Sequence, residues 1–191
     1  PTTSSRADGG HVEGTDYMKI AVALIPLLPL LGFFVTLLFG KRMGKHAHIF
    51  PVAMVTISAV LSIYGFEWAF RHPEETFVWN AFTWIAAGQF TVPWGFQVDT
   101  LTGVMLLLVG VIGMLVHYYS IGYMHGDEGY YRFFAYLNLF MFAMFMLILA
   151  DSYLLLFLGW EGVGLCSYLL ISFWFRKKSA RKDSKKAFIV N

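Results

Sequence analysis

The chain has 191 residues, of which 58% are hydrophobic, 18% aromatic and only 14% charged, and its mean hydropathy is +0.61. Soluble domains carry about 25% charged residues, so this composition excludes an ordinary soluble enzyme, a disordered tail and a nucleic-acid-binding module. The net charge of +2 is too small to indicate a polyanionic partner, and the single cysteine, Cys166, excludes a disulfide scaffold or a multi-cysteine zinc site. The expected class is a polytopic membrane protein.

The first 17 residues are polar, rich in small residues and without periodicity. They lack the apolar core of a signal peptide, and their three acidic residues are atypical of a transit peptide. We interpret residues 1–17 as a polar N-terminal tail, left after processing or added to the protein. Residues 18–191 are interpreted as a membrane domain.

Five long apolar runs follow, and each predicts a membrane-spanning helix. They are Ile20–Gly40, Ile49–Phe70, Leu101–Tyr123, Phe133–Ala150 and Ser152–Phe175. The first measures about 31 Å at about 1.5 Å per residue, which matches a hydrocarbon core of about 30 Å. Backbone exposed to lipid must satisfy its hydrogen bonds internally, so the fold class is an all-α transmembrane bundle. The start of a sixth helix is expected near Lys185.

Between the second and third runs, the segment Glu74–Asp99 predicts a short β-hairpin or an extended interfacial loop. It is rich in β-branched and aromatic residues and is interrupted by Gly88, Pro93 and Gly95. Its three tryptophans are typical of the headgroup level of a membrane. We therefore expect the hairpin to lie at one membrane surface.

Loop charges predict the orientation of the protein. Three lysines and arginines lie in the first loop, one (Arg132) lies in the third, and seven follow the fifth helix, so 11 of the 14 share one side. Only Arg6, Lys19 and Arg71 lie on the other side. The positive-inside rule places the basic side in the cytoplasm or matrix, and it places the N-terminus and the hairpin on the outer side.

Glu161 lies near the middle of the fifth run and is the first candidate site residue. A carboxylate at that depth costs at least about 2.5 kcal/mol on insertion scales, so it must face other protein, water or a basic group. The five runs contain no lysine or arginine at a comparable depth. The functional interpretation is a proton-binding site, and the structural alternative is a protonated glutamate that only packs. Flanking Gly159, Gly162 and Gly164 allow neighbouring helices to approach closely.

His117, in the third run, is the second candidate. A group that titrates near neutrality suits a proton relay, whereas a lone membrane histidine is also often a structural hydrogen-bond donor. The carboxylates at predicted helix ends are usual as caps or solvated groups, and Asp151 is expected to N-cap the fifth helix. The sequence has no glycine-rich nucleotide motif, CxxC or HExxH, so no cofactor or metal is expected in this protein.

The segment Tyr130–Phe175 carries a family resemblance. It contains Tyr131-Arg-Phe-Phe-Ala-Tyr-Leu-Asn-Leu-Phe140, Leu149-Ala-Asp151 and Gly159-Trp-Glu-Gly-Val-Gly-Leu-Cys-Ser-Tyr-Leu-Leu-Ile171. Together with Gly95-Phe-Gln-Val-Asp99 and Leu115-Val-His-Tyr-Tyr-Ser120 upstream, these runs resemble subunit 5 of NADH dehydrogenase, the antiporter-like L subunit of respiratory complex I. The resemblance extends from about Met18 to Asn191, and a whole subunit of that family is much longer.

The resemblance implies that Glu161 is a protonatable residue of a proton pathway, paired with a lysine on a later helix, and that His117 takes part in proton transfer. It implies the N-terminal portion of a subunit that couples NADH:quinone oxidoreduction to proton pumping. FMN, iron–sulfur clusters and quinone would bind to partner subunits. The implied partners are other complex I membrane subunits, lipids and a second polypeptide with the rest of subunit 5. The implied location is the mitochondrial inner membrane or, alternatively, a bacterial cytoplasmic membrane.

Two alternative functions stay open at this stage. One is the large subunit of a multisubunit Na⁺/H⁺ antiporter, a relative that usually has Phe-Trp-Glu and then a more polar run. Here Gly159 precedes Trp-Glu, and Gly-Val-Gly-Leu-Cys-Ser follows, which disfavours that reading. The other alternative is a structural or assembly fragment in which Glu161 is inert.

Overall fold

The computed structural model describes residues 8–88 and 90–174. In sequence order the elements are α1 (Asp8–Met43), a 3-10 turn (Gly44–His46), α2 (Ile49–Arg71), β1 (Phe77–Ala87), β2 (Phe90–Val98), α3 (Thr100–Tyr123), α4 (Tyr130–Leu149), α5 (Tyr153–Ile171) and a second 3-10 turn (Ser172–Trp174). Within the described residues, each of the five helices is long and apolar enough to cross a membrane. The five predicted helices are therefore confirmed, whereas the predicted sixth helix near Lys185 lies outside the described residues.

α1 is longer than the first apolar run, because the helix already begins at Asp8, inside the stretch interpreted as a polar tail. Pro26 and Pro29 both lie within this helix. A proline nitrogen has no hydrogen to donate to the carbonyl four residues earlier, and for Pro29 that carbonyl belongs to Ile25. The Ser58 hydroxyl of α2 donates to the Ile25 carbonyl over 2.5 Å. A neighbouring helix thus supplies the hydrogen bond that the proline cannot make.

α2 and α4 are the inner helices of the bundle. α2 lies against both α1 and α3, and α4 lies against both α1 and α5, with a smaller contact to α3. Small residues bring α2 and α3 together: a β-carbon added to Gly103 would lie 2.7 Å from that of Ala69, and one added to Gly110 would lie 2.9 Å from that of Ser62. Such close approach drives helix association in membranes, where lipid tails are as apolar as the side chains.

The predicted hairpin is confirmed, with β1 and β2 paired antiparallel along their length. Gly88 lies at the turn with a φ of 62°, a left-handed conformation that glycine adopts without strain. The indole of Trp94 stacks on Phe82 at a centroid distance of 5.7 Å and meets Trp84 edge-on at 5.3 Å. Aromatic cross-strand contacts of this kind stabilise a two-stranded sheet.

The hairpin joins the bundle at the connection between α4 and α5. Phe96 forms an isolated bridge with Ala150, and the Asp151 amide donates to the Gly95 carbonyl over 3.4 Å. The Asp151 carboxylate lies against Gly95, in the space that a β-carbon there would need. Its Oδ1 has no hydrogen-bond partner among the described residues, and burial raises the pKa of this carboxyl.

Polar side chains cap the first turns of α3 and α5. The Asp99 carboxylate accepts a hydrogen bond from the Thr102 amide over 2.7 Å, which also lowers the pKa of Asp99. The prediction that Asp151 caps α5 is wrong by one residue, because the N-cap is Ser152, whose hydroxyl accepts from the Leu155 amide over 3.4 Å. The Asp151 side chain is directed to the hairpin instead, and the following residue takes the capping position.

α5 packs on α4 through its glycines, as the sequence predicts. A β-carbon added to Gly159 would lie 2.6 Å from the amide nitrogen of Leu147, and one added to Gly162 would lie 3.1 Å from the β-carbon of Ala143. At Gly159 the two helices therefore meet backbone to backbone. No side chain fits between them there without moving a helix.

The first expected outcome concerns this contact. Gly159→Ala should destabilise the protein by about 1–3 kcal/mol, because the new methyl group meets main-chain atoms of α4 and forces the helices apart. Gly122→Ala is the matched control: no atom lies within 4 Å of the position that its new methyl group would take, so only the gain in helix propensity of up to about 1 kcal/mol remains. Thermal unfolding of both variants in detergent micelles measures the difference. Equal stabilities would contradict the backbone contact.

The second expected outcome concerns the pH dependence of stability at Asp151. Because the pKa of Asp151 is raised in the fold, the folded state holds its proton to a higher pH than the unfolded state does. The free energy of unfolding should therefore fall as the pH rises from the ordinary value of 3.8 through the raised one. Asp151→Asn should remove this decline and be more stable than the parent at neutral pH, with no difference at strongly acidic pH.

Asp99→Asn is a control, because the effect of this substitution on stability should depend on pH in the opposite direction. The pKa of Asp99 is lowered in the fold, so its stabilising contribution is present above its ordinary pKa and is lost as the pH falls through the lowered value. Unfolding curves over a range from acidic to neutral pH should show the two substitutions acting in opposite directions. If the difference in stability between Asp151→Asn and the parent did not change with pH, the raised pKa of Asp151 would be contradicted.

Candidate functional site

Glu161 lies in the middle of α5, on the face that points away from α4. It is two residues from Gly159, which corresponds to about 200° around an α-helix. The close contact of Gly159 with α4 therefore turns Glu161 outward, and the residue is exposed on the bundle. Within residues 8–88 and 90–174 its carboxylate makes no hydrogen bond or ion pair.

The surroundings of Glu161 on this face are apolar. Phe157 and Leu158, one turn before it, and Leu165, one turn after it, are all exposed. The ion pairs of the described part of the protein, Lys19–Asp16 and Arg71–Glu67, lie near the outer ends of α1 and α2. A mid-membrane carboxylate on an apolar face must be covered by protein, water or a cation from outside the described helices.

His117 is fully buried between α3 and α4. Its Nδ1 lies 2.7 Å from the carbonyl oxygen of Gly113, one turn earlier in α3. A carbonyl only accepts hydrogen bonds, so Nδ1 carries the ring hydrogen. In the neutral ring, Nε2 is then the acceptor, and Asn138 Nδ2 of α4 lies 3.0 Å from it. The geometry thus fixes one neutral tautomer of His117.

Asn138 is a functional candidate that the sequence analysis missed. Its amide nitrogen also donates to the Phe134 carbonyl over 3.1 Å, so both of its hydrogens are used. Its Oδ1 is buried without a hydrogen-bond partner among the described residues and lies against Gly32 of α1, where a β-carbon would collide with it. The available signal was a single amide within an apolar run, because such a group usually bonds across helices.

The structure does not bring His117 and Glu161 together. His117 packs against α4, whereas Glu161 is on the side of α5 that faces away from α4. A crevice of about 190 Å³ between α3 and α4 adjoins His117, and all its other lining residues are apolar or glycine. The His117 ring is hydrogen-bonded to one side chain of the described residues, that of Asn138.

The third expected outcome tests the His117–Asn138 pair. Asn138→Leu leaves the buried Nε2 acceptor without a donor and should cost about 1–3 kcal/mol of stability. When His117 is also replaced by leucine, the unpaired Nε2 acceptor is absent. Asn138→Leu should therefore cost much less stability in the His117→Leu background than in the parent. Side-chain ¹⁵N NMR of histidine-labelled protein should show a protonated Nδ1 and an unprotonated Nε2 at His117. A spectrum with the hydrogen on Nε2 would contradict the assignment.

Two family models match this protein. The first, described as the N-terminus of chain 5 of NADH–ubiquinone oxidoreductase (complex I), covers residues 84–134 and includes His117. The second, described as the transmembrane region of NADH:quinone oxidoreductase and the Mrp antiporter, covers residues 150–191 and includes Glu161. Both candidate residues of the sequence analysis therefore lie in matched segments.

Several relatives are similar to most of this protein. NADH–ubiquinone oxidoreductase chain 5 of Podospora anserina is 47% identical over 169 residues, which are 87% of this chain and 26% of that protein. NADH–quinone oxidoreductase subunit L of Neisseria meningitidis serogroup A is 44% identical, over 88% of this chain and 25% of its own length. Subunit L of Mycobacterium tuberculosis is 42% identical, over 93% and 28%. The chain thus spans about a quarter of the length of these relatives.

The helices and the relatives lead to the same conclusion. Five described helices are suited to cross a membrane, and the second matching model describes a transmembrane region of NADH:quinone oxidoreductase and the Mrp antiporter. The chain is an integral membrane protein. It belongs to the family of NADH–ubiquinone oxidoreductase chain 5 and NADH–quinone oxidoreductase subunit L.

Proposed function

We propose that this protein is the N-terminal part of a proton-translocating, antiporter-like subunit of an NADH–quinone oxidoreductase. The observation that carries the proposal is Glu161, a carboxylate in the middle of a membrane helix with no partner among the described residues. The names of the relatives support the same complex. The oxidoreductase as a whole is the enzyme, and the polypeptide described here would take part in proton transfer only.

Glu161 would act as a proton-binding group whose affinity changes with what covers it. A cation next to a carboxylate favours the ionised form, and an apolar or like-charged neighbour favours the protonated form. An opposing surface that carries a lysine and shifts relative to α5 would therefore drive proton uptake and release. The outward orientation of Glu161 makes it available to such a surface.

His117 would be the second proton-transfer group, and its contacts set a condition for that role. Its Nε2 accepts from the Asn138 amide, so a proton arriving at Nε2 would meet an N–H group. Protonation therefore requires the Asn138 amide to turn over and present Oδ1, or to withdraw. Asn138 would be a positioning residue that holds His117 neutral until α4 moves.

The proposed setting follows from the family. Other membrane subunits of the complex would be the partners, and a second polypeptide would supply the remainder of subunit 5. FMN, iron–sulfur clusters and quinone would belong to partner subunits. The mitochondrial inner membrane is proposed because fungal chain 5 proteins are among the relatives, and a bacterial cytoplasmic membrane is the alternative because subunit L proteins of bacteria match as well.

The fourth expected outcome tests Glu161 in the intact oxidoreductase. Glu161→Gln removes the carboxyl group that binds and releases a proton, and an amide cannot take over that role. The number of protons pumped per NADH oxidised should therefore fall by roughly half or more. Glu161→Asp, which keeps the carboxyl group, should restore part of the pumping. Vesicles carrying the purified complex, with a pH-sensitive dye and NADH absorbance recorded together, give the stoichiometry.

Glu67→Gln is the matched control, because Glu67 is also on a membrane helix but lies near its outer end and pairs with Arg71. It should leave the pumping stoichiometry unchanged. Full pumping in Glu161→Gln, with the complex assembled, would establish the structural alternative in which this glutamate is inert.

A further inference from the structure

A cavity of about 480 Å³ lies on the basic side of the bundle, between the end of α1 and the start of α4. Its cationic lining residues come from three elements: Lys41 is in the last turn of α1, Lys45 is in the 3-10 turn, and Arg132 is in the first turn of α4. The loop between α3 and α4 contributes His125, Asp127 and Glu128. The cavity thus combines segments that are far apart in sequence.

The cavity lies at the level of lipid headgroups. Lys41 directly follows the first apolar run, and Arg132 directly precedes Phe133, where the fourth run begins. Lysines and arginines at the ends of membrane helices are placed where the hydrocarbon core meets the polar interface. α1 and α4 are in close contact beside the cavity, because a β-carbon on Gly40 would lie 2.7 Å from that of Tyr131.

The cations of the cavity are available to a ligand. The side-chain nitrogens of Lys41, Lys45 and Arg132 form no hydrogen bond or ion pair with the described residues. Arg132 is half-buried, and a partly buried guanidinium without an anion is unfavourable. Within the described residues, neither carboxylate of the cavity forms an ion pair with Arg132: Asp127 Oδ1 accepts from the Gly129 amide over 2.7 Å, and Glu128 is exposed.

The chemistry of the cavity suits a phosphate group. Lysine and arginine side chains of α1, the 3-10 turn and α4 line the cavity, and both side chains bind phosphate oxygens. Basic pockets between membrane helices on the cytoplasmic or matrix side are known to bind anionic headgroups. We propose that this cavity binds the phosphodiester headgroup of an anionic phospholipid in the leaflet on the basic side.

The neighbouring surface favours a lipid over free phosphate. Leu37 and Leu38 are exposed, and they precede Lys41 by four and three residues, so they lie one turn deeper on the same face of α1. A phospholipid whose phosphate sits at Lys41 would place its acyl chains along these leucines. Free phosphate would gain nothing from that surface.

The test uses the intact oxidoreductase that contains this protein, reconstituted in phosphatidylcholine vesicles with a small amount of phosphatidylglycerol carrying a photoreactive headgroup. Irradiation followed by peptide mass spectrometry should place the label on residues 40–45 and 125–132. The double variant Lys41→Gln/Arg132→Gln should lose labelling there by at least about ten-fold, because each cation near an anionic headgroup contributes to binding.

Arg42→Gln is the matched control, since Arg42 is an exposed cation next to Lys41 that does not line the cavity. It should keep the parental labelling. If Arg42→Gln reduced the labelling as much as Lys41→Gln/Arg132→Gln does, the proposed site would be overturned, because general attraction between the basic surface and the anionic lipid would explain the labelling. Displacement of the probe by inorganic phosphate as readily as by unlabelled phosphatidylglycerol would also overturn the lipid proposal, in favour of a free anion.

Assembly of each variant is checked by native electrophoresis. If the double variant does not assemble, the parental complex decides the question through its labelled peptides and the two competitors. Label that is absent from both cavity segments overturns the proposal. Labelling of those segments that unlabelled phosphatidylglycerol competes away, and that inorganic phosphate does not, supports the proposal. Neither result depends on proton pumping, so the outcome at Glu161 does not affect it.

Discussion

A hydrocarbon core offers no hydrogen bonds to polar groups, and this constraint determines which residues of the bundle meet. The Ser58 hydroxyl donates a hydrogen bond to the Ile25 carbonyl, which Pro29 cannot pair because it has no N–H. The Ser62 hydroxyl donates to the Ser58 carbonyl. His117 and Asn138 satisfy one another across α3 and α4. The Ser58–Ile25 and His117–Asn138 bonds each join two helices, whereas the Ser62 bond lies within α2, so a few polar residues help to fix how much larger apolar surfaces pack.

Not every polar group of the membrane helices meets this requirement within the described residues. Thr36 Oγ1 of α1 is buried without a hydrogen-bond partner, and Asn138 Oδ1 faces Gly32 of α1 without an N–H or O–H donor. The Glu161 carboxylate faces outward from an apolar helix surface. Asn138 contacts His117, and Glu161 is itself a residue for which a proton-transfer role is proposed.

The apolar runs predicted the five helices because a membrane-spanning helix needs about 20 apolar residues and few other structures satisfy the backbone there. A run of β-branched and aromatic residues that is interrupted by glycine and proline predicted the hairpin for a similarly local reason. The start of α1 at Asp8 and the cap at Ser152 were not predicted. At the second of these, a contact between Asp151 and the hairpin, which is remote in sequence, overrides the local preference for a capping aspartate.

At the candidate site too, features that depend on one helix could be predicted from the sequence, whereas features that depend on the packing of two helices could not. The depth of Glu161 could be counted along the sequence, and the neighbouring glycines correctly indicated a close helix contact. The direction in which Glu161 points could not be derived without knowing that α4 is the helix packed against Gly159. The pairing of His117 with Asn138 likewise depends on the packing of two runs, and periodicity within one run carries no such information.

α4 is the element on which both candidate residues depend. It holds His117 through Asn138, and five and nine residues later its Ala143 and Leu147 meet the glycines of α5. Because a side chain at position 159 would collide with the α4 backbone, a polar group in the middle of α5 cannot be turned inward at that point. The carboxylate is therefore on the opposite face, and α1 to α4 cannot neutralise it. Protein, water or a cation that covers it has to approach from the side of α5 that the described helices leave open.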